Sequence, residues 1–108
     1  MLDCAIAARA VLELVDERDR NDFMSDRRTQ LAVMYQLVAL GEAVKRLSPE
    51  IRGQHPTVPW RRLGGMRDKL VHGYDAINPE RVWTTVREEI PNILAEIEKI
   101  ERAEAKRG

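Results

Sequence analysis

Cysteine is nearly absent from this sequence, since Cys4 is the only one, and it therefore cannot form a disulfide within the chain. There are only two histidines, and neither a Cys-x-x-Cys nor a His-Glu-x-x-His spacing occurs. The first residues, Met1 to Ala5, lack the basic and apolar runs of a signal peptide. No stretch approaches the roughly 18 apolar residues of a membrane span. These absences favour a soluble, cytoplasmic protein without a metal or disulfide scaffold.

The sequence also lacks net charge, because 18 lysines and arginines balance 18 aspartates and glutamates. A general attraction to nucleic acid is therefore excluded, and any contact with RNA must come from a local basic patch, for which Lys45, Arg46, Arg61 and Arg62 are candidates.

A chain of 108 residues predicts one domain, covering residues 1–108, because domains typically hold about 100 to 200 residues. Such a small core would benefit from self-association.

No alternating strand pattern is present, whereas apolar residues recur at helical spacing along most of the chain. Proline follows a capping residue at Ser48-Pro49 and Asn78-Pro79, which predicts a helix start at each pair. Pro91 predicts either a kink or a new helix. The sequence therefore predicts an all-α, antiparallel bundle of four to five helices. The main helices are expected at 2–19, 26–47, from Pro59 to a stop at Gly73, and from Asn78 onward.

Two features of the middle helices need a compensating contact. The pair Gly64-Gly65 weakens its helix by about 1 kcal/mol per glycine relative to alanine, so we expect another backbone to pack closely against it. The 26–47 helix carries apolar residues on two nearly opposite faces, and a small bundle can cover only one of them. A homodimer is therefore predicted. One stripe holds Val33, Leu37, Leu40, Val44 and Leu47, and the other holds Leu31, Met34, Tyr35 and Val38.

Arg67, Asp68 and His72 are the candidate catalytic group, near the end of the predicted third helix. Arginine carries a permanent planar charge suited to phosphate, and the pKa of histidine, about 6.5, suits proton transfer at neutral pH. Together they could cleave RNA without a metal or cofactor, by attack of the 2′-hydroxyl on the neighbouring phosphorus. Asp68 lies four residues before His72 and could hold its imidazole in one tautomer.

The spacing of this group leaves alternatives open. Arg67 and His72 lie about 140° apart around an ideal helix, so they converge only if the helix ends near His72 or two chains share the site. A surface salt bridge and a helix cap would also account for both residues. Glu42 falls within the second apolar stripe, either as a half-exposed residue at the bundle edge or as a buried partner of Arg67 or of a third-helix backbone group.

The order of these motifs resembles the HepT family, which belongs to the HEPN superfamily of α-helical ribonucleases. The resemblance covers about Asp3 to Ile100 and is carried by several separate segments. These are Gly41 to Glu50, Pro59-Trp60, Gly65 to Tyr74 with its Arg67-x4-His72-x-Tyr74 motif, Val82-Trp83, and Glu89 to Pro91.

The resemblance implies a HEPN-like bundle and a metal-independent endoribonuclease that acts as a homodimer and as the toxin of a toxin-antitoxin pair. It assigns catalysis to Arg67 and His72. The implied partner is an MntA-like minimal nucleotidyltransferase that attaches AMP to Tyr74, where added bulk and negative charge would compete with RNA for Arg67. Two alternatives remain: a catalytically silent HEPN-like module that docks the nucleotidyltransferase, and a purely structural helical dimer.

Overall fold

The computed structural model describes residues 1–107, apart from the side chain of Tyr74. Within this part the chain forms seven α-helices and one 3-10 turn, with no strand, so the predicted all-α class is confirmed. Five helices of ten or more residues make up the bundle, and two short helices connect them. The helices are α1 (Leu2–Val15), α2 (Arg20–Met24), α3 (Arg27–Arg46), α4 (Pro49–Gln54), α5 (Trp60–Gly73), α6 (Pro79–Glu88) and α7 (Ile90–Arg107), and the turn is Tyr74–Ala76.

Helix α3 is the centre of the bundle, with α1 packed along one side and α5 along the other. An ion pair of 3.7 Å joins Asp3, at the start of α1, to Arg46, at the end of α3, so these two helices run antiparallel. Helix α7 packs on α1, where the guanidinium of Arg9 donates a hydrogen bond to the carboxylate of Glu98 at 3.2 Å, and α6 packs on α7. Cys4, in the first turn of α1, is 1% exposed and belongs to the core.

The first helix is four residues shorter than predicted, because it ends at Val15. Glu17 adopts the left-handed conformation, with φ of 61°, which a continuing right-handed helix cannot contain. Asp19 then opens α2 with a reciprocal capping box, in which its carboxylate accepts the Asp22 N–H at 2.8 Å. The extra helix brings Phe23 into the core, where it is fully buried.

The other predicted helix starts are confirmed by their caps. The Ser48 hydroxyl accepts the Ile51 N–H at 3.2 Å, and the Asn78 side chain accepts the Glu80 N–H at 3.0 Å. Pro91 lies at the second position of α7, where an N–H has no partner within the helix, so the proline begins a new helix and causes no kink.

One expectation about glycine is confirmed and one is wrong. Helix α5 ends at Gly73, as predicted, and the chain then tightens into the Tyr74–Ala76 turn; no described glycine has a positive φ, so this end is not a left-handed cap. Among the described residues, no other backbone packs against Gly64-Gly65: a Cβ on Gly64 would meet only Lys45 side-chain carbons at 3.6 Å or more, and one on Gly65 would meet nothing within 4 Å.

None of the helices that the structure describes is both long and apolar enough to cross a membrane.

Candidate functional site

The site is built where α3 crosses α5 at Gly41. A Cβ at this position would overlap the Cβ of Arg67 and lie 3.0 Å from the Leu63 carbonyl oxygen. Only glycine therefore allows the two helices to approach this closely. The close approach brings one turn of α5 against the last two turns of α3, and so sets Arg67 beside Glu42.

Arg67 and Glu42 form the central ion pair of the site. Both the Nε and the Nη2 atoms of Arg67 donate to Glu42 Oε1, at 3.1 and 2.8 Å. The arginine side chain is 23% exposed and the glutamate 43%, so the pair lies at the bundle edge and remains open to solvent. Both alternatives weighed for Glu42 therefore hold in part, because it is half-exposed and is also the partner of Arg67.

Asp68 completes an ionic network that joins Arg67, on its own helix, to Lys45 on α3. Its Oδ1 atom accepts from Arg67 Nη1 at 3.1 Å and also from the Nζ of Lys45 on α3. The structure gives this carboxylate no hydrogen bond to His72, although the two residues are four apart on one helix. Asp68 therefore orients the arginine in this chain, and its predicted effect on the imidazole is not part of the observed geometry.

The network shifts the pKa values of Glu42, Asp68 and Arg67. Hydrogen bonding to Arg67, assisted by its charge, lowers the pKa of Glu42. Hydrogen bonds from Lys45 and then from Arg67 lower the pKa of Asp68. Bonds to Glu42 and Asp68 in turn raise the pKa of Arg67 above its already high value. All three groups are therefore charged at neutral pH, and the guanidinium keeps its positive charge.

His72 lies in the last turn of α5 and is exposed. Because the helix continues to Gly73, the separation of about 140° around the helix axis between Arg67 and His72 applies. The two residues therefore lie on different sides of α5 within one chain. The predicted modification of Tyr74 concerns a side chain outside the described part of the structure, whose backbone begins the 3-10 turn.

Arg67 has capacity left to bind a ligand. A guanidinium carries five N–H donors, and the bonds to Glu42 and Asp68 use three of them, on Nε, Nη1 and Nη2. Two donors remain, and a phosphate can accept both.

Among the described residues, no group of three or more histidine, cysteine, aspartate or glutamate side chains is arranged to hold a metal ion.

Two residues that shape this site, Gly41 and Lys45, were not predicted to belong to it. Gly41 lies inside a long helix with apolar residues at helical spacing. Because a glycine weakens such a helix, its presence there could have indicated a close contact with another helix. Lys45 was assigned to a basic patch, but it binds Asp68; Arg62 likewise pairs with Glu89 at 2.6 Å. Two of the four patch candidates are thus closely paired with carboxylates, and Arg46 lies 3.7 Å from Asp3.

The chain is an all-α bundle in which an arginine is held between two carboxylates, five residues before an exposed histidine on the same helix. Residues 5–100 match the family described as "Ribonuclease HepT-like", and the chain belongs to this family.

Relatives from several organisms cover most of the chain. It is 38% identical over 95 residues to "Probable ribonuclease HepT" of Thermococcus cleftensis, which covers 84% of this chain and 86% of the relative. It is 38% identical over 90 residues to "Putative RNase MJ0127" of Methanocaldococcus jannaschii, covering 83% and 74%. The same identity relates it to "Putative RNase TTE0752" of Caldanaerobacter subterraneus subsp. tengcongensis, covering 83% and 80%. No solved structure matches the chain.

Proposed function

We propose that this protein is a metal-independent endoribonuclease, acting as one HepT-like domain over residues 1–108. The observation that carries the proposal is an Arg67 guanidinium held by Glu42 and Asp68 with two donors open, on the same helix as an exposed His72. The names of the relatives support an activity on RNA. The cytoplasm, where RNA is abundant, is the proposed location.

The proposed reaction is internal transesterification. His72 takes the proton of the 2′-hydroxyl, and the oxygen attacks the adjacent phosphorus to form a cyclic phosphate. The bond to the 5′-oxygen breaks as the protonated imidazole of His72 gives that proton to the leaving oxygen. Arg67 binds the non-bridging phosphate oxygens, whose charge grows in the transition state. Glu42 and Asp68 take no proton in this scheme; they hold the guanidinium in one orientation, which lowers the entropy cost of binding the transition state.

We further propose that the site is shared between two chains. Arg67 and His72 of one chain lie on different sides of α5, whereas a second copy can bring its own α5 alongside. Large apolar side chains are exposed on the helices that flank the site: Leu31 is 43% exposed, Tyr35 70% and Val71 42%. Burying them in a homodimer would remove apolar surface from water next to the motif.

Complementation between inactive variants tests the shared site. Arg67→Ala and His72→Ala should each reduce cleavage at least about a hundredfold while helical content is kept. In an equal mixture, about half of the dimers are mixed and each has one intact composite site, so about a quarter of wild-type activity should return. The matched control is Arg102→Ala, which alters an exposed side chain on α7, and this variant should cleave RNA normally. No recovery on mixing would contradict the shared site, and full activity of both variants would contradict the mechanism.

We also propose that the protein is the toxin of a pair whose antitoxin is an MntA-like nucleotidyltransferase that attaches AMP to Tyr74. Support comes from the motif, which places this residue two positions after His72, between the exposed His72 and Asp75. Incubation with the partner, ATP and Mg²⁺ should add mass in steps of one AMP, mapped to Tyr74, and Tyr74→Phe should escape neutralisation. Modification of the phenylalanine variant, or neutralisation without added mass, would contradict this part of the proposal.

A second candidate is a catalytically silent module that docks the nucleotidyltransferase. One observation favours it: Arg67 is already engaged by two carboxylates within the chain, as expected of a structural ion pair. The two candidates differ in one assay. Purified wild-type protein that binds the nucleotidyltransferase but leaves a mixed RNA pool intact, with and without divalent metal, would favour the docking module.

A further inference from the structure

An open cavity of about 640 Å³ lies between α5 and the start of α6. Three cations line it, namely Arg62, Lys69 and Arg81, and no carboxylate from the described residues does. In a chain with no net charge, this is a local concentration of positive charge. Walls of one sign around a concave surface focus the electrostatic potential and attract anions.

Two of the three cations, Lys69 and Arg81, form no ion pair with a carboxylate of the described residues. Arg62 does, with Glu89 at 2.6 Å, but its side chain is 65% exposed and has further donors. The cavity therefore offers free cationic donors from both helices that form it.

Gly65 lines the same cavity and has no packing reason to be glycine. A Cβ added there would meet no heavy atom within 4 Å, so alanine would fit and would stabilise the helix by about 1 kcal/mol. The described fold thus gains nothing from a glycine at position 65. A ligand whose backbone passes close to α5 would account for it, because a missing side chain permits that approach.

The cavity is continuous with the proposed catalytic face. Gly65 and His72 are seven residues apart, so they share one side of α5, about 10 Å apart along its axis. Lys69 lies three residues before His72, which places their Cβ atoms about 5–6 Å apart. An RNA strand with a phosphate at His72 would therefore reach Lys69 and the cavity with its neighbouring nucleotide.

We propose that this cavity is a subsite for a nucleotide of single-stranded RNA next to the phosphate that is cleaved. Met66, Leu70 and Val82 give the cavity apolar walls that can receive an unstacked base. Lys69, Arg81 and Arg62 bind the phosphates, and the strand passes over Gly65. The volume lies within the range of about 300–1,000 Å³ that is usual for small-ligand sites. This assignment rests on the proposed ribonuclease function and adds its substrate class.

Binding to a fluorescein-labelled single-stranded RNA tests the subsite, in full-length His72→Ala protein so that the RNA is not cut. Lys69→Ala and Arg81→Ala should each weaken binding and reduce the slope of log affinity against log salt by about 0.7, as expected for one lost phosphate contact. Arg102→Ala removes the same charge from α7 and should leave affinity and slope unchanged.

Gly65→Ala gives a second, independent readout. It should raise the free energy of unfolding yet weaken RNA binding by about fivefold or more, because the methyl group occupies the path of the strand. Gly53→Ala, in exposed α4, should also raise stability but leave RNA binding unchanged. Opposite changes in stability and affinity at position 65 alone would support a ligand path that crosses α5 at this point.

The outcomes separate this assignment from the proposed function. Wild-type protein that neither binds nor cleaves RNA would contradict both. Wild-type protein that binds and cleaves RNA, with affinity unchanged in all three cavity variants, would overturn the subsite alone. Binding of free AMP that is lost in Lys69→Ala, while RNA binding is kept, would likewise overturn it and assign the cavity to a free nucleotide.

Discussion

Gly41 controls the position of Arg67 through the absence of a single methyl group. Gly41→Ala should destabilise the fold by about 1–3 kcal/mol, because a Cβ there overlaps Arg67 and lies 3.0 Å from the Leu63 carbonyl oxygen. This loss outweighs the gain in helix propensity from alanine. Urea unfolding measures it, with Gly53→Ala as the control, whose Cβ meets nothing and which should gain about 0.4–1 kcal/mol. Equal stabilisation by both changes would contradict the close approach of α3 and α5.

The ion pair of Glu42 gives the fold a defined dependence on pH. Since Arg67 lowers the pKa of Glu42 in the folded chain, its contribution to stability is complete above the unfolded pKa, about 4.3, and is lost as pH falls through the folded value. Glu42→Gln should therefore be less stable than wild type at pH 7. The difference should shrink toward zero below about pH 4. Unfolding free energies from pH 3 to 7 provide the check, and a difference independent of pH would contradict the charged pair.

At the scale of the helix, the N-cap residue Asn78 fixes the start of α6, the helix that lines one side of the cavity. Asn78→Ala removes the acceptor of the Glu80 N–H and should cost about 0.5–2 kcal/mol, whereas Asn78→Ser keeps an acceptor and should cost much less. Urea unfolding of both variants distinguishes a cap from a mere surface polar residue. Equal losses in the two would show that the side-chain hydrogen bond is not the source.

The main helices were predictable from the sequence, because the periodicity of apolar residues and the helix caps are local features, as along α3 and at Asn78-Pro79. The end of α1 was not, because nothing in the sequence marks Glu17 as left-handed. The partnership of Glu42 with Arg67 was only one of two alternatives, since it depends on how α3 crosses α5. The crossing in turn depends on Gly41, whose neighbours are distant in the sequence. Local features could therefore be predicted from the sequence. The ionic partner of each side chain could not, because it depends on how the helices pack.

At the scale of the whole molecule, the exposed part of the second stripe of α3, Leu31 and Tyr35, should determine association. Met34 is buried as part of the core, while Leu31 and Tyr35 remain exposed, so the stripe is shared between the core and the surface. Light scattering at micromolar concentration should give twice the chain mass of 12.4 kDa, and Tyr35→Glu should give the chain mass itself. Gln54→Glu adds the same charge on α4 and should remain dimeric. A wild-type monomer would remove the proposed interface and, with it, the shared site.

The buried cysteine has a chemical consequence. Cys4 is 1% exposed in the first turn of α1, and burial raises the pKa of its thiol, so very little reactive thiolate is present at neutral pH. Alkylating reagents and peroxide can therefore reach the sulfur only when the first turn of α1 opens. Because the chain contains no other cysteine, its rate of alkylation reports how often that turn opens, and the protein carries its own probe of this motion.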